Sequence, residues 1–515
     1  MNRAHMRGAG ALLAVALLAA CSPAGGSGDA PVPHVFTGTE SPGATPGQLQ
    51  KFYQQRVEWS ECGDDFECAR VAVPLDYDSP GAGSIELSVV RRPASGDEKD
   101  RIGSLLLNPG GPGVSGVDYA RHADVVVSED LREHFDIVGF DPRGVARSEP
   151  IRCLTDRELD EFVAADGSPD DPGEERELLD QAAGLAKGCQ ARSGRLLAHV
   201  GTRNAARDLD VLRAVLGDES LHYLGKSYGT LLGATYAELF PARAGRLVLD
   251  GAVDPTVPNE QFGRAQAAGF EQAMRAFVAD CLERDDCPFD GDMAAGLQEI
   301  AVLLERIDEH PLPSSGSERR LTQGLAVAAV AAALYDESQG WPILRTALGE
   351  AEQGEGTTLL RIADVYTDRQ PDGRYSTNQN EAFYAVSCVD TPNGTADVDE
   401  RRALAAEYAE TAPLFGPYLA WGALPCASWP VPPEGKPGRI RAAGSPPILV
   451  VGTTRDPATP HVWAVGLVDQ LDAGVLLSWD GDGHTAYRRG SSCVDEIVDT
   501  FLLRGETPED GRRCE

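Results

Sequence analysis

Short apolar runs alternate with longer amphipathic stretches from about residue 66 onward. "CARVAVPLDY" and "SIELSVVRRP" predict two early strands joined by a Gly/Pro turn. "SLLLN" (104–108), "FDIVGFD" (135–141), "LHYLG" (221–225) and "RLVLDG" (246–251) predict four more. Helical patterns separate them. "NAARDLDVLRAVLG" sets apolar residues at helical spacing and ends in glycine, and "YGTLLGATYAELFP" predicts a helix stopped by Pro241. Continuous apolar strands alternating with helices imply a parallel sheet buried on both faces.

The pattern changes at about residue 256. From there to "DERRALAAEYAE" nearly everything reads as helix, with no clear strand, and "WPVPPEGKPG" reads as a Pro/Gly linker. Strand character returns in "PPILVVG" (446–452) and "GVLLSWDG" (474–481), and an amphipathic stretch closes the chain. Two strands are too few to form a domain alone. The economical division is therefore one α/β domain, residues 49–255 and 441–515, with residues 256–440 inserted as a helical cap.

The N-terminus changes the picture of where this domain works. "MNRAHMRG" and the apolar "AGALLAVALLAA" form the charged and hydrophobic parts of a secretory signal over residues 1–20. Leu18-Ala19-Ala20-Cys21 resembles a bacterial lipobox, which implies lipidation of Cys21 and anchoring to the outer face of a membrane. Residues 21–48 read as a Pro/Gly/Ser tether. Setting Cys21 aside leaves ten of the 11 cysteines, an even number suited to disulfides in an oxidising compartment. Sequential pairing is the expectation: Cys62–Cys68, Cys153–Cys189, Cys281–Cys287, Cys388–Cys426 and Cys493–Cys514. The chain carries a net charge of -34, which argues against nucleic acid as a partner. No C-x-x-C pair or Cys/His cluster suggests a metal.

The chemistry is concentrated in "LHYLGKSYGTLLG". A G-x-S-x-G arises by chance in a chain with 56 glycines, with odds on the order of one in three. Context decides the matter. A strand precedes Ser227 and a helix follows it, so the serine occupies a strand-to-helix turn that lifts its hydroxyl clear of the sheet. Side chains at Gly225 and Gly229 would collide in so tight a turn. The Tyr228 N–H, at a helix N-terminus, is one oxyanion donor. The glycine-rich "LLLNPGGPGVSG" supplies a second, with Gly111 the first choice and Gly110 the second.

A nucleophilic serine needs a base, and the base an orienting carboxylate, in the chain order Ser, acid, His. His484 in "WDGDGHTAY" follows the last strand, and Asp456 in "ILVVGTTRDPATP" follows the strand before it. Asp480 and Asp482 crowd His484 within one loop, His461 starts a helix, and His222 lies packed on the elbow strand. Asp141 and Arg143 in "GFDPRGVARSEP" read as a salt bridge shaping the rim.

Taken together, "NPGGPGVSG", "GFDPRG", "GKSYGTLLGATYAELFP", "VLDGAVDP", "GTTRDPATP" and "GDGHT" resemble the secreted tripeptidyl aminopeptidase family. That family sits among the prolyl aminopeptidase-like α/β-hydrolases and includes mycobacterial cell-envelope lipoproteins described as carboxylesterases or serine proteases. The resemblance spans about residue 45 to the C-terminus. It implies an α/β-hydrolase fold with an inserted helical cap, a Ser227–Asp456–His484 triad and a peptide or ester substrate. No metal or organic cofactor is required. It further implies cap carboxylates that hold a substrate α-amino group, for which "NEAFYAVSCVDTP" offers Asp390 and Glu381, and support of the triad by Thr459. Lys226, beside the serine, departs from the pattern. Two other functions stay open: a carboxylesterase using the same triad, and a cell-surface binding lipoprotein on an inactive hydrolase scaffold.

Overall fold

Strands form where apolar and β-branched residues run together. The computed structural model describes residues 46–515 except 64 and 392–393. The signal segment, Cys21 and most of the tether lie outside the described residues. Twelve strands occur among the described residues: β1 (Ser60–Glu61), β2 (Glu67–Pro74), β3 (Ser84–Arg92), β4 (Gly103–Asn108), β5 (Phe135–Phe140), β6 (Leu221–Lys226), β7 (Ala244–Asp250), β8 (Leu312–Ser314), β9 (Ser317–Leu321), β10 (Ile448–Arg455), β11 (Gly474–Asp482) and β12 (Arg512–Cys514). Ten of them make one sheet in the order β1-β2-β3-β5-β4-β6-β7-β10-β11-β12. β1, β2, β3 and β5 pair antiparallel in turn, and every pairing from β5 through β4 to β12 is parallel.

The parallel strands alternate their side chains between two cores. Leu106, Tyr223, Leu247 and Val450 face one side, against helices Thr202–Leu216, Tyr228–Leu239 and His461–Gln470. Leu105, Leu107, Val248 and Leu449 face the other, against helix Ser492–Arg504 and the short helices around residues 116–134. Burial on both faces explains why these strands read as unbroken apolar runs.

Between β7 and β10 the chain is mostly helical, from Asn259–Leu282 to Leu424–Ala427, around a core of its own. The expectation of no strand there fails at β8 and β9. They pair antiparallel across Ser315-Gly316, with Gly316 at φ +81°, a turn that a serine-glycine dipeptide supports. Periodicity also marked no element between residues 151 and 203. The structure has a 26-residue helix, Pro172–Leu197, started by an Asp171–Glu174 capping box with Pro172 in its first turn. Its N-terminal half packs on the helical layer through Ala182, and its C-terminal half packs on the sheet through Leu185, Cys189 and Leu197. This helix thus joins the two cores.

All five sequential cysteine pairs are disulfide-bonded. Cys388–Cys426 ties helix Gln379–Asp390 to Leu424–Ala427, which fixes the helix that carries Asp390. No helix among the described residues is long and apolar enough to cross a membrane.

Candidate active site

Ser227 stands between β6 and helix Tyr228–Leu239 with φ 54° and ψ -125°. A non-glycine residue in that region costs on the order of 1–3 kcal/mol and persists only where its surroundings hold it. Here the Ser227 N–H donates to the Asp250 carbonyl at 2.9 Å, and its own carbonyl accepts from the Thr230 N–H and hydroxyl at 2.8 and 2.6 Å. The flanking glycines serve close approach. A Cβ on Gly225 would lie 2.4 Å from the Gly229 carbonyl oxygen, and one on Gly229 would lie 2.8 Å from the Asn108 side chain.

The glycine loop after β4 comes up against this turn. The point where a Gly110 Cβ would sit is 2.5 Å from the Lys226 carbonyl oxygen and 2.9 Å from Ser227 Cβ. The Gly110 N–H is spent on Asn108 Oδ1 at 2.9 Å, which leaves Gly111, on the cavity wall with Ser227 and Tyr228, as the better donor of the two. A Cβ at position 110 would push this loop off the Ser227 turn and carry the Gly111 N–H with it, so Gly110→Ala is expected to lower kcat by about 10²-fold, the scale of losing one oxyanion donor. Steady-state kinetics beside a thermal melt will show whether turnover falls with the fold intact.

Asp456 and His484 meet in a buried pair. His484 Nδ1 lies 2.9 and 3.0 Å from the two Asp456 oxygens. The carboxylate also accepts from the N–H groups of Ala458, Thr459 and Thr485 and from the Thr459 hydroxyl, at 2.9 to 3.1 Å. Thr459 Oγ1 is 3.3 Å from His484 Nδ1 as well, so the expected support from Thr459 has a geometric basis. The other imidazole nitrogen, Nε2, is buried and makes no protein hydrogen bond among the described residues. The rival acids are engaged elsewhere: Arg455 pairs with Asp480 and Asp482, both at 2.8 Å. His461 opens a helix and meets Ser478 at 2.8 Å. His222 accepts from the Arg246 N–H, and burial pulls its imidazole down to about 4.

The helical layer reaches the histidine directly. The His484 N–H donates to the Tyr335 carbonyl at 2.9 Å, and the two rings sit 4.8 Å apart. Arg489, five residues on, pairs with Asp336 at 2.7 Å.

A cavity of about 190 Å³ opens beside Ser227 and runs to Asp390 and Glu434. Asp390 accepts from the Thr202 N–H at 2.7 Å and hydroxyl at 2.5 Å, and that hydroxyl also meets Tyr228 Oη at 2.5 Å. Burial pushes the Asp390 carboxyl up to about 7. Asp390 has no ion-pair partner among the described residues. Glu434 is also raised by burial, though Arg207 and Arg203 draw it back. Both carboxyls approach Gly201, within about 3 Å of where a Cβ would stand. Glu434 escaped the sequence reading because it sits alone in a Pro/Gly stretch.

Two expectations need correction. Glu381 does not line the cavity; its carboxylate accepts from the Cys153 and Leu154 N–H groups at 2.5 and 2.9 Å, satisfying backbone that would otherwise be buried unpaired. Asp141 and Arg143 do not pair with each other. Arg143 is fully buried and forks onto Asp208 at 2.6 and 2.7 Å, while Asp141 accepts from Ser115 and Arg147. A planar guanidinium prefers the two-oxygen fit that helix Thr202–Leu216 offers.

Comparison with known proteins places this geometry. Residues 412–514 match the family model described as TAP-like protein. The chain is 39% identical over 486 residues to serine protease Hip1 of Mycobacterium tuberculosis, covering 89% of this chain and 91% of that one. It is 39% identical over 503 residues to carboxylesterase B of the same species, covering 94% of each. It is 33% identical over 468 residues to the tripeptidyl aminopeptidase of Streptomyces lividans, covering 88% of this chain and 85% of that one. With such identity along nearly its whole length, the chain belongs to the tripeptidyl aminopeptidase-like family of α/β-hydrolases.

Proposed function

We propose that this protein is a secreted serine peptidase that releases short peptides from free N-termini. Ser227 Oγ attacks the scissile carbonyl as His484 Nε2 takes its proton. The Gly111 and Tyr228 N–H groups hold the oxyanion. His484 returns the proton to the leaving amine, and water then hydrolyses the acyl-enzyme by the same route. Asp456 keeps the imidazole in the right tautomer and balances its charge. Export is assigned to the signal segment of residues 1–20 and anchoring to lipidation of Cys21.

The observation that carries the peptidase reading is Asp390. It is a buried carboxyl on the serine's own cavity, at the C-terminal end of a helix, with hydrogen bonds but no cation. Burial, the helix C-terminus and the lack of a cation oppose its charge while the Thr202 hydrogen bonds favour it, and a substrate ammonium would relieve that opposition. Glu434 shares that end of the cavity. The chemistry of an ester substrate would be the same, and carboxylesterase B is as similar as serine protease Hip1, so an esterase is the second reading.

Asp390 separates the two. It must ionise to hold an ammonium, and its carboxyl is raised to about 7, so it is neutral below that pH. kcat/KM on a free-N-terminal peptide anilide is thus expected to fall as pH drops through about 7, beyond any loss seen on the acetylated peptide. The acetylated peptide and Asp390→Asn will lack that extra limb. Asp390→Asn should lower kcat/KM on the free peptide by about 10²-fold, from the roughly 3 kcal/mol lost when a buried charge loses its partner. Equal cleavage of free and acetylated peptides would sink the aminopeptidase reading, and ester turnover with neither peptide cut would leave the esterase.

A further inference from the structure

We propose that Lys226 and Asp250 form a buried latch that positions the His484 loop, which makes Lys226 a positioning residue for the reaction. The inference rests on Ser227 and His484 being nucleophile and base. Lys226 ends β6, one residue before Ser227, and Asp250 ends β7; the two are register partners on adjacent parallel strands. Lys226 Nζ donates to the Tyr487 carbonyl at 2.7 Å and lies 3.5 Å from Thr485 Oγ1 and 3.6 Å from Asp250 Oδ2. Asp250 accepts from the Ala486 and Tyr487 N–H groups at 2.8 and 3.0 Å. The pair therefore grips the three residues after His484, from within the sheet.

That stretch needs a grip. Thr485 and Arg488 have φ of 67° and 62°, a region that side chains disfavour. On one side the loop hangs from Asp456, through His484 Nδ1 and the Thr485 N–H, and from the Tyr335 carbonyl of the helical layer. The latch supplies the other side. Lys226 is 9% exposed and Asp250 fully buried, so both charges have left water. A buried ion pair contributes little net stability against apolar residues of the same shape. What apolar residues could not supply is the set of directed hydrogen bonds to the 486–487 backbone and the Thr485 hydroxyl. Burial also pulls the Lys226 ammonium down to about 8, against the pull of Asp250, with Arg489 and Asp495 nearby. The charge beside the nucleophile is thus explained by the histidine loop, and no substrate contact is needed.

The test compares Lys226→Met, Lys226→Arg, Asp250→Asn and Ser227→Ala in the full chain, on a free-N-terminal peptide anilide and a short-chain p-nitrophenyl ester. Lys226→Met is expected to lower kcat on both by about 10²-fold, the cost of roughly 1 Å of misplacement, with KM changed by less than about twofold. Lys226→Arg, which keeps a donor for the Tyr487 carbonyl, should recover most of kcat. The low-field proton resonance of the His484 imidazole should broaden in Lys226→Met and return in Lys226→Arg. Should Lys226→Met fail to fold, Asp250→Asn and Lys226→Arg carry the same kinetic and spectroscopic comparison. Wild-type kcat in Lys226→Met overturns the latch, and so does a loss of activity with the imidazole resonance unchanged. Activity surviving in Ser227→Ala would instead overturn the nucleophile on which the latch depends, so the two failures are distinguishable.

Discussion

Ser227→Ala is expected to lower turnover by about 10⁴-fold or more on every substrate, with little change in stability. The side chain is small, and its hydroxyl supports no part of the fold: the hydrogen bonds at this turn run through the Ser227 backbone and Thr230. Alanine would inherit the same φ of 54°, so the backbone strain neither relaxes nor grows. What is lost, on the proposed mechanism, is the oxygen that forms the acyl-enzyme. Intact-mass measurement after treatment with an active-site phosphonate gives a direct check. The wild-type chain should gain one adduct and the variant none. An adduct on the variant, or turnover within about tenfold of wild type, would place the nucleophile elsewhere.

Asp456→Asn is expected to cost about 10⁴-fold in kcat near neutral pH, and unlike Ser227→Ala it should also destabilise the fold. Each Asp456 oxygen faces donors only. The Ala458 and Thr459 N–H groups point at Oδ1, the Thr459 hydroxyl and Thr485 N–H at Oδ2, and the imidazole at both. An asparagine amide brings an NH₂ to one side, whichever way it flips. It then sets donor against donor, and a buried group left unsatisfied costs about 1–3 kcal/mol. The amide NH₂ regains a partner where the Thr459 hydroxyl turns to accept or where Nδ1 becomes an acceptor, and it is the second that costs activity. The proton would then sit on Nε2, which could no longer accept from Ser227. Paired kinetics and melting curves test this. Normal kcat in Asp456→Asn would remove Asp456 from the reaction.

Much of this arrangement was legible in the chain. The apolar runs at 104–108, 135–141, 221–225 and 246–251 became β4 to β7 with ends shifted by a residue or two. They were readable because strands buried on both faces carry no alternation to confuse. Cys62–Cys68 and Cys281–Cys287 were readable because cysteines six residues apart leave few other partners in reach, while the three pairs 21 to 38 residues apart rested on chain order alone. Helix Pro172–Leu197 was not, since its contact face changes along its length from one core to the other. Residues Glu434 and Glu381 show the limit at single side chains. Glu381, in a motif-like stretch, went to backbone capping, while Glu434, in a Pro/Gly stretch, reached the cavity.

The sequence by itself determined the alternation of strand and helix, the elbow at Ser227 and the order Ser, Asp, His. Those are local or sequential properties: the turn closes within five residues, and each strand or helix follows from the apolar pattern of its own stretch. The tertiary structure alone decided which charges meet. Arg143 found Asp208 rather than Asp141, Lys226 found the backbone beyond His484, and Asp390 and Glu434 converged on one cavity. A charged side chain's partner depends on which surfaces pack together, and residues 226 and 487, or 390 and 202, become neighbours only once the sheet and the helical layer are assembled.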